Sequence, residues 1–455
     1  MPKAIRKHGA DWFGVMFFLA CLLAGGGGAH QPVTGAILEI SAAGLIAALI
    51  SARLLGRAQF NVPPASLLVL FGGIVLLVAA QLIPLPFNIW SALPGRTFEA
   101  SALDAAGLSR MSMPISLLPW ATMQCALALL PAAAVVLVAV RRSQSWVGLA
   151  LAVVIAGAVS ALLQCLQMVG IGWVAPWRLA QADTPAGLFI NSNHQVDLLA
   201  AAMLFAGCIC REVRRGGFPT IDRQIRRFAL PGAAAFVLFL SAMIVASGSR
   251  AALAFVVPAA ILAISVAASW DRLFRLTLIA LVLLAPVMIA VFYGSVDLPS
   301  FRSAAGLDHE TRIQSIGDLF YTLSTYFPAG SGFGTFDVVF RHAESLDLVT
   351  DTYLNHAHND YLEILIEGGV IGGVVVIYAL SIIIFYAIKK ERLKFTTRQD
   401  NLGRASAAAL LFLALHSIVD YPIRNYSISA MTALLLVMLC SRSKEAEDRR
   451  EMHKR

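Results

Sequence analysis

Asn355-His356-Ala357-His358-Asn359-Asp360-Tyr361-Leu362-Glu363, with Glu367-Gly368-Gly369 close behind, is the densest run of reactive side chains in the sequence. It brings together two imidazoles, three carboxylates, two amides and a phenol. Imidazoles and carboxylates are the groups of proton transfer. The run stands where a long polar loop, 294–360, gives way to an apolar segment. At a water–lipid boundary such polar groups are costly and mark function by default. The plainer reading is a polar cap on a helix start, with Asn or Asp satisfying free backbone N–H groups. His356 and His358 are two residues apart, which is not the i, i+4 spacing of a helical zinc pair, so no metal is expected.

The elements that must hold this run follow from composition. Of 455 residues, 58% are hydrophobic and 14% charged, with mean hydropathy +0.75. Soluble domains carry roughly 25% charged residues. The expected fold is an all-α polytopic membrane protein forming a single membrane-embedded domain over 1–455. Apolar segments long enough to span a bilayer fall near 11–29, 33–52, 64–84, 118–140, 146–168, 194–210, 229–247, 251–270, 275–293, 367–388, 404–420 and 426–440, about twelve transmembrane helices. The first has no convincing small-residue cleavage site, so no cleaved signal peptide is expected.

Charge orients these segments. The loops on the side of the two termini carry 27 of the 35 Lys and Arg residues, which places both termini in the cytoplasm. The net charge of +8 thus reports membrane topology and not nucleic-acid binding. The other side holds Arg96, Arg110, Arg178, Arg250, Arg302, Arg312, Arg341 and Arg424 and no Lys. Arg offers a rigid fork for phosphate oxygens and stays charged in poorly hydrated places. The six cysteines lie within or at the ends of apolar segments, contain no C-x-x-C, and suit small apolar packing.

With that orientation, Glu39, Gln81, Gln124, Gln164, Gln167, Asn193, His194, Asp197, Arg250, His416 and Asp420 all fall toward the outer ends of their segments. Their placement describes an outward-facing polar cavity. A transporter would more naturally place ionisable groups near the midplane and in both halves of a repeat, and no internal repeat is visible. The outer loop 85–117, with Pro86, Trp90 and Pro94, and Trp120 just beyond, suits a segment along the membrane interface. In loop 294–360, residues Arg312 to Tyr326 read as a short helix. Its apolar face would be Ile313, Ile316, Leu319, Phe320 and Leu323. Gly330-Ser331-Gly332-Phe333-Gly334-Thr335-Phe336 lacks the Lys-Ser/Thr ending of a nucleotide loop and reads as a tight turn.

Four pieces in this order resemble the O-antigen ligase superfamily, which includes lipid-linked glycan polymerases and protein O-oligosaccharyltransferases. Gly187-Leu188-Phe189-Ile190-Asn191-Ser192-Asn193-His194 is similar to the family's Phe-x-Asn-x-Asn segment. Ser247-Gly248-Ser249-Arg250-Ala251 is similar to its Ser-Arg turn. Arg312 followed by Gly330 to Phe336 resembles its large outer loop. His358-Asn359-Asp360-Tyr361-Leu362 with Glu367-Gly368 and Gly372 resembles its His-Asn motif. The resemblance covers residues 185–385, and the flanking segments agree only in character.

The resemblance implies a glycosyltransferase of the bacterial inner membrane, working on the periplasmic side in lipopolysaccharide or surface-polysaccharide biosynthesis. Members move a glycan from undecaprenyl diphosphate to an acceptor hydroxyl, with no cofactor or metal. On that expectation the catalytic residues are His358 as general base, with Arg250 and Arg312 stabilising the diphosphate. The substrate-binding set is Asn191, Asn193, His194, Arg341, His356, Asn359 and Asp360. His356 is the second choice of base, and Asn191 and Asn193 serve equally well as helix caps. The acceptor is lipid A–core for a ligase or the growing polysaccharide for a polymerase. A glycolipid transporter or flippase, and an accessory subunit of an export complex, are the alternatives from other classes.

Overall fold

The computed structural model describes residues 3–30, 32–109, 111–141, 145–171, 185–292, 315–349, 354–391 and 397–441. Each of the twelve apolar segments overlaps a long helix, although the first runs on into the 3-10 helix Gly25–His30 and the eleventh helix ends at His416, short of 420. The long helices are α1 (Lys3–Ala24), α2 (Pro32–Leu54), α3 (Ala65–Gln81), α4 (Pro119–Ala139), α5 (Trp146–Met168) and α6 (Ser192–Arg214). They continue with α7 (Arg223–Ala246), α8 (Arg250–Ala268), α9 (Asp271–Phe292), α10 (Asp360–Glu391), α11 (Arg398–His416) and α12 (Tyr426–Cys440). By length and composition, Val33–Leu54, Pro119–Ala139, Trp146–Met168, Arg223–Ala246 and Asp360–Glu391 can cross a membrane. Trp12–Gly27, Ala65–Gln81, Ala254–Ala268 and Tyr426–Cys440 are shorter apolar stretches. The chain is a helical, multi-pass membrane protein.

Among the described residues α6, α11 and α12 are the most buried helices. α6 is buried on nearly every side and packs against α5, α7, α8 and α11. Small residues allow this: a Cβ on Gly207 would lie 2.3 Å from the Ala263 carbonyl oxygen of α8. Close backbone approach through small residues is how helices pack where lipid offers no hydrophobic drive. α12 is apolar on all faces and buried against α1, α4 and α11, as such a helix must be. Around them, Ile40, Leu76, Leu238, Leu283, Val374 and Ile377 are exposed, forming the face a bilayer would cover.

The two ends of the bundle differ. At one, Asp271 Oδ1 accepts from Arg211 at 3.2 Å and from Arg404 at 2.9 Å, while Arg404 also forks onto Glu391 at 2.7 and 3.1 Å. Lys390 pairs with Asp400 at 2.9 Å, and Arg398 with Glu212 at 2.9 Å. This end clamps helices together with ion pairs. The other end gathers the polar residues of the reactive run.

That second end is built by a broken helix and a glycine turn. Within α10, Gly369 has φ 59° and ψ −153°, which interrupts the helix. The carbonyls freed by the break would be orphans in an apolar setting. The Gly330–Phe336 turn satisfies them: Ser331 N donates to Ile366 O at 3.0 Å and Gly332 N to Glu367 O at 2.9 Å. Val370 N donates to Pro328 O at 3.0 Å. The Glu367 carboxylate accepts from Gly334 N at 2.9 Å and Phe336 N at 3.2 Å. The tight turn expected from the glycines is therefore the partner of a break in the next long helix.

Segment 85–117 is partly folded into the protein. Strands β1 (Pro84–Leu85) and β2 (Met113–Pro114) pair antiparallel, Trp90 is buried, and buried Arg96 donates to Ile115 O at 2.6 Å and Gly330 O at 2.9 Å. The helix expected over Arg312–Tyr326 spans Ile316–Tyr326, and Arg312 and Ile313 lie outside the described residues. Its buried face is Leu319, Thr322 and Tyr326, whereas Phe320 is 58% exposed.

Candidate functional site

Four chain segments meet at this end: the start of α6, the stretch 354–360 before α10, the turn 417–421 after α11, and the 3-10 turn Pro422–Arg424 before α12. Their polar side chains form two joined clusters.

The first centres on Asp420, whose side chain is fully buried. Its Oδ1 lies 3.4 Å from His358 Nδ1 and 3.8 Å from His194 Nε2. Its Oδ2 accepts a short hydrogen bond from the Asn193 amide, and one from Asn191 at 3.5 Å. Asn191 also caps α6, accepting from Asn193 N at 2.8 Å, so capping and site-building are one arrangement. The Asp420 side chain caps its own turn by accepting from Tyr421 N at 2.9 Å.

The second cluster centres on Arg424. Its Nη1 lies 2.8 Å from Glu367 Oε2 and 3.2 Å from Glu363 Oε1, and its Nε 3.9 Å from Asp360 Oδ1. Burial pulls the guanidinium pKa down, but Glu363, Glu367 and Asp360 together hold it above its ordinary value. Glu363 also accepts from His356 Nδ1 at 2.8 Å and from Ala357 N at 2.8 Å. For His356, burial lowers the pKa, and the charge and hydrogen bond of Glu363 overcome this and raise it. Asp360 is buried: its carboxylate accepts from Ser417 Oγ at 2.9 Å and Ile423 N at 3.4 Å, locking α10 to the turn after α11.

Tyr421 joins the clusters. Its ring packs on His356 at 4.2 Å, His358 at 4.9 Å and His194 at 5.1 Å between centroids. The side chains of His358, His356 and Arg424 are 13%, 21% and 18% exposed, while Asp420, Glu363 and Glu367 are fully buried. The imidazoles thus face the opening, and carboxylates behind them fix their orientation. His358 has φ 48°, a left-handed backbone uncommon outside glycine. Such strain persists only where the surroundings enforce it, and it concentrates at functional sites.

Of the residues singled out in the sequence, the structure brings together Asn191, Asn193, His194, His356, His358 and Asp360. Asn359 acts beside them as a cap, accepting from Leu362 N at 3.0 Å. Arg341 ends the short helix Phe336–Arg341, where it pairs with Asp337 at 3.0 Å. The backbone of Arg250 opens α8, and Phe255 farther along α8 meets His416 edge-on at 6.0 Å. The side chain of Arg250 and the whole of Arg312 lie outside the described residues. Several polar residues expected to line a cavity instead tie segments together. Gln81 donates to Glu367 O at 2.8 Å, Gln164 accepts from Gln195 at 2.9 Å, and Gln167 donates to Gly187 O at 2.8 Å.

Sequence reasoning put Asp420 in the outer polar cavity, Arg424 among the outer arginines and Glu363 in the reactive run, but joined none of them to His358 and passed over Tyr421. A signal was present: Asp420-Tyr421-Pro422-Ile423-Arg424 is a polar island between two apolar runs. Its distance of some sixty residues from His358 along the chain hid the connection.

These features define a multi-pass membrane protein with a strained histidine backed by a carboxylate at one end of its bundle. An O-antigen ligase family model matches residues 234–377, which supports a place in the O-antigen ligase superfamily. At the level of that family the activity is glycan transfer of the ligase or polymerase type, on lipid-linked glycan and polysaccharide substrates. Among curated proteins none matches the chain. The matched region contains Arg250, Arg312, Arg341, His356, His358, Asn359 and Asp360, and excludes the start of α6 and the Asp420–Arg424 turn.

Proposed function

We propose that this protein transfers a glycan from undecaprenyl diphosphate to an acceptor hydroxyl on the periplasmic face of the bacterial inner membrane. The reading has twelve crossings, both termini in the cytoplasm, and the work done by residues 185–385 within one membrane-embedded unit. The observation that carries it is the His358–Asp420 pair at 3.4 Å, partly open and inside a cluster of amides and imidazoles.

Asp420 beside Nδ1 favours the tautomer with its proton there, which makes Nε2 the accepting nitrogen. The acceptor hydroxyl gives its proton to His358 Nε2 as its oxygen bonds to the anomeric carbon. The bond from that carbon to the diphosphate oxygen breaks, and its electron pair leaves with the diphosphate. Attack opposite the leaving group inverts the anomeric configuration. Arg250 and Arg312 supply positive charge to the departing diphosphate, where a poorly hydrated site magnifies its effect. Arg424 is engaged by three carboxylates and serves the architecture. Asn191, Asn193 and His194 orient sugar hydroxyls, His356, Asn359 and Arg341 hold or flank the substrate, and buried Asp360 fixes the turn behind them. No metal or cofactor enters the scheme.

A deletion strain complemented with wild type or His358→Ala tests this, with envelope glycans resolved by size. Loss of glycan from lipid A–core, with polymer retained on the carrier, assigns a ligase. Accumulation of single repeat units assigns a polymerase. A wild-type pattern from normally inserted His358→Ala protein rules the mechanism out.

A further inference from the structure

Asp420 presents a histidine to each of its oxygens. Oδ1 faces His358, and Oδ2 faces His416 Nε2 at 3.9 Å. The other nitrogen of His416, Nδ1, lies 2.8 Å from Asp197 Oδ2 on α6. The side chains of His416, Asp197 and Asp420 are all but fully buried. The series His358–Asp420–His416–Asp197 therefore runs from the opening into the bundle, between α11 and α6.

A neutral imidazole has one N–H and one lone pair. Between two carboxylates it can donate to only one and must turn its lone pair on the other. The imidazolium donates Nδ1–H to Asp197 at 2.8 Å, while its charge faces Asp420 across 3.9 Å. The surroundings are specific. From α6, His194 faces Asp420 Oδ1 and the amides of Asn191 and Asn193 face Oδ2. From α10, Asp360 reaches Ser417, with Arg424 and Glu363 beyond it. From α8, Phe255 covers the edge of His416. Tyr421 and His356 flank His358.

We propose that His416 and Asp197 are positioning residues for the base: His416, an imidazolium held by Asp197, shares Asp420 with His358 and so sets the pH range in which His358 accepts a proton. This rests on His358 being the base of the transfer reaction. A carboxylate opposite one imidazole favours the protonated form of that ring, and shared between two rings it favours each less. With His416 charged, His358 stays neutral, and able to accept, to lower pH. In the reaction the acceptor's proton moves to His358 Nε2, and His416 keeps its own proton throughout.

The test is the pH dependence of kcat/KM for purified full-length protein given an undecaprenyl diphosphate-linked glycan and its acceptor. In His416→Gln and in Asp197→Asn the acidic limb moves up by about one pH unit, with the rate above the limb near that of wild type. Asp197→Glu, which keeps the carboxylate, returns the limb toward wild type. A bare through-space effect of Asp197 has the opposite sign, because removing a negative charge lowers the pKa of a nearby imidazole. An unmoved limb, or a downward shift in Asp197→Asn, overturns the proposal. Thermal melting identifies any variant that fails to fold, and the remaining variant then decides. A wild-type profile with no acidic limb, or full activity in His358→Ala, removes His358 as the base and takes the transferase mechanism with it.

Discussion

Arg424 and His356 set the chemistry of the site at the level of single side chains, and each leads to a measurement. Arg424 is the cation shared by three buried carboxylates, so Arg424→Ala removes their common counter-charge. The expected cost is about 3–5 kcal/mol, read as a lower melting temperature in detergent. A variant that melts with wild type would mean that the carboxylates are otherwise compensated. His356 bears on pH. Its folded pKa is raised above the ordinary 6.5 by Glu363, so the folded state holds this proton more tightly than the unfolded chain. The resulting stability is fully present below pH 6.5 and is lost as pH rises through the raised value. The melting temperature of wild type should therefore fall on that rise relative to His356→Gln. Parallel curves for the two proteins would contradict the pairing.

The broken helix α10 and the Gly330–Phe336 turn act as one element. Gly369 sits at a φ and ψ essentially restricted to glycine, and a Cβ there would lie 2.1 Å from Pro328 O. Gly369→Ala must therefore move the turn or distort the helix. Loss of about 1–3 kcal/mol is expected from backbone strain alone. Because the same turn binds the Glu367 carboxylate, glycan transfer should fall with it. Retained stability and transfer in Gly369→Ala would show that α10 can straighten without consequence. The sequence predicted a tight turn from its glycines but not this role, since nothing in local propensity tells a turn which distant carbonyls it will satisfy.

For the whole molecule, the division between a basic ion-paired end and a polar reactive end matches the charge asymmetry of the loops. It yields a topology test. Leu346, 88% exposed near the reactive end, and Ile225, 60% exposed at the start of α7 on the basic end, are replaced singly by cysteine in a cysteine-free background. An impermeant maleimide added to intact spheroplasts should label the first and spare the second. The reverse pattern would invert the orientation and place the site in the cytoplasm.

The sequence by itself determined the class of fold and the positions of the long helices, because burial in lipid demands long apolar runs that composition cannot hide. It also marked His356, His358, Asn191 and Asn193, because polar groups beside apolar runs stand out. Only the tertiary structure decided which charges they meet. Asp420 and Arg424 reach the site by a return of the chain through α10 and α11, and Asp197 lies on a helix far earlier in sequence. Pairing between such groups depends on helix rotation and on the break at Gly369, which distant packing fixes. For the same reason the pairing of Arg341 with Asp337 was not legible among the outer arginines.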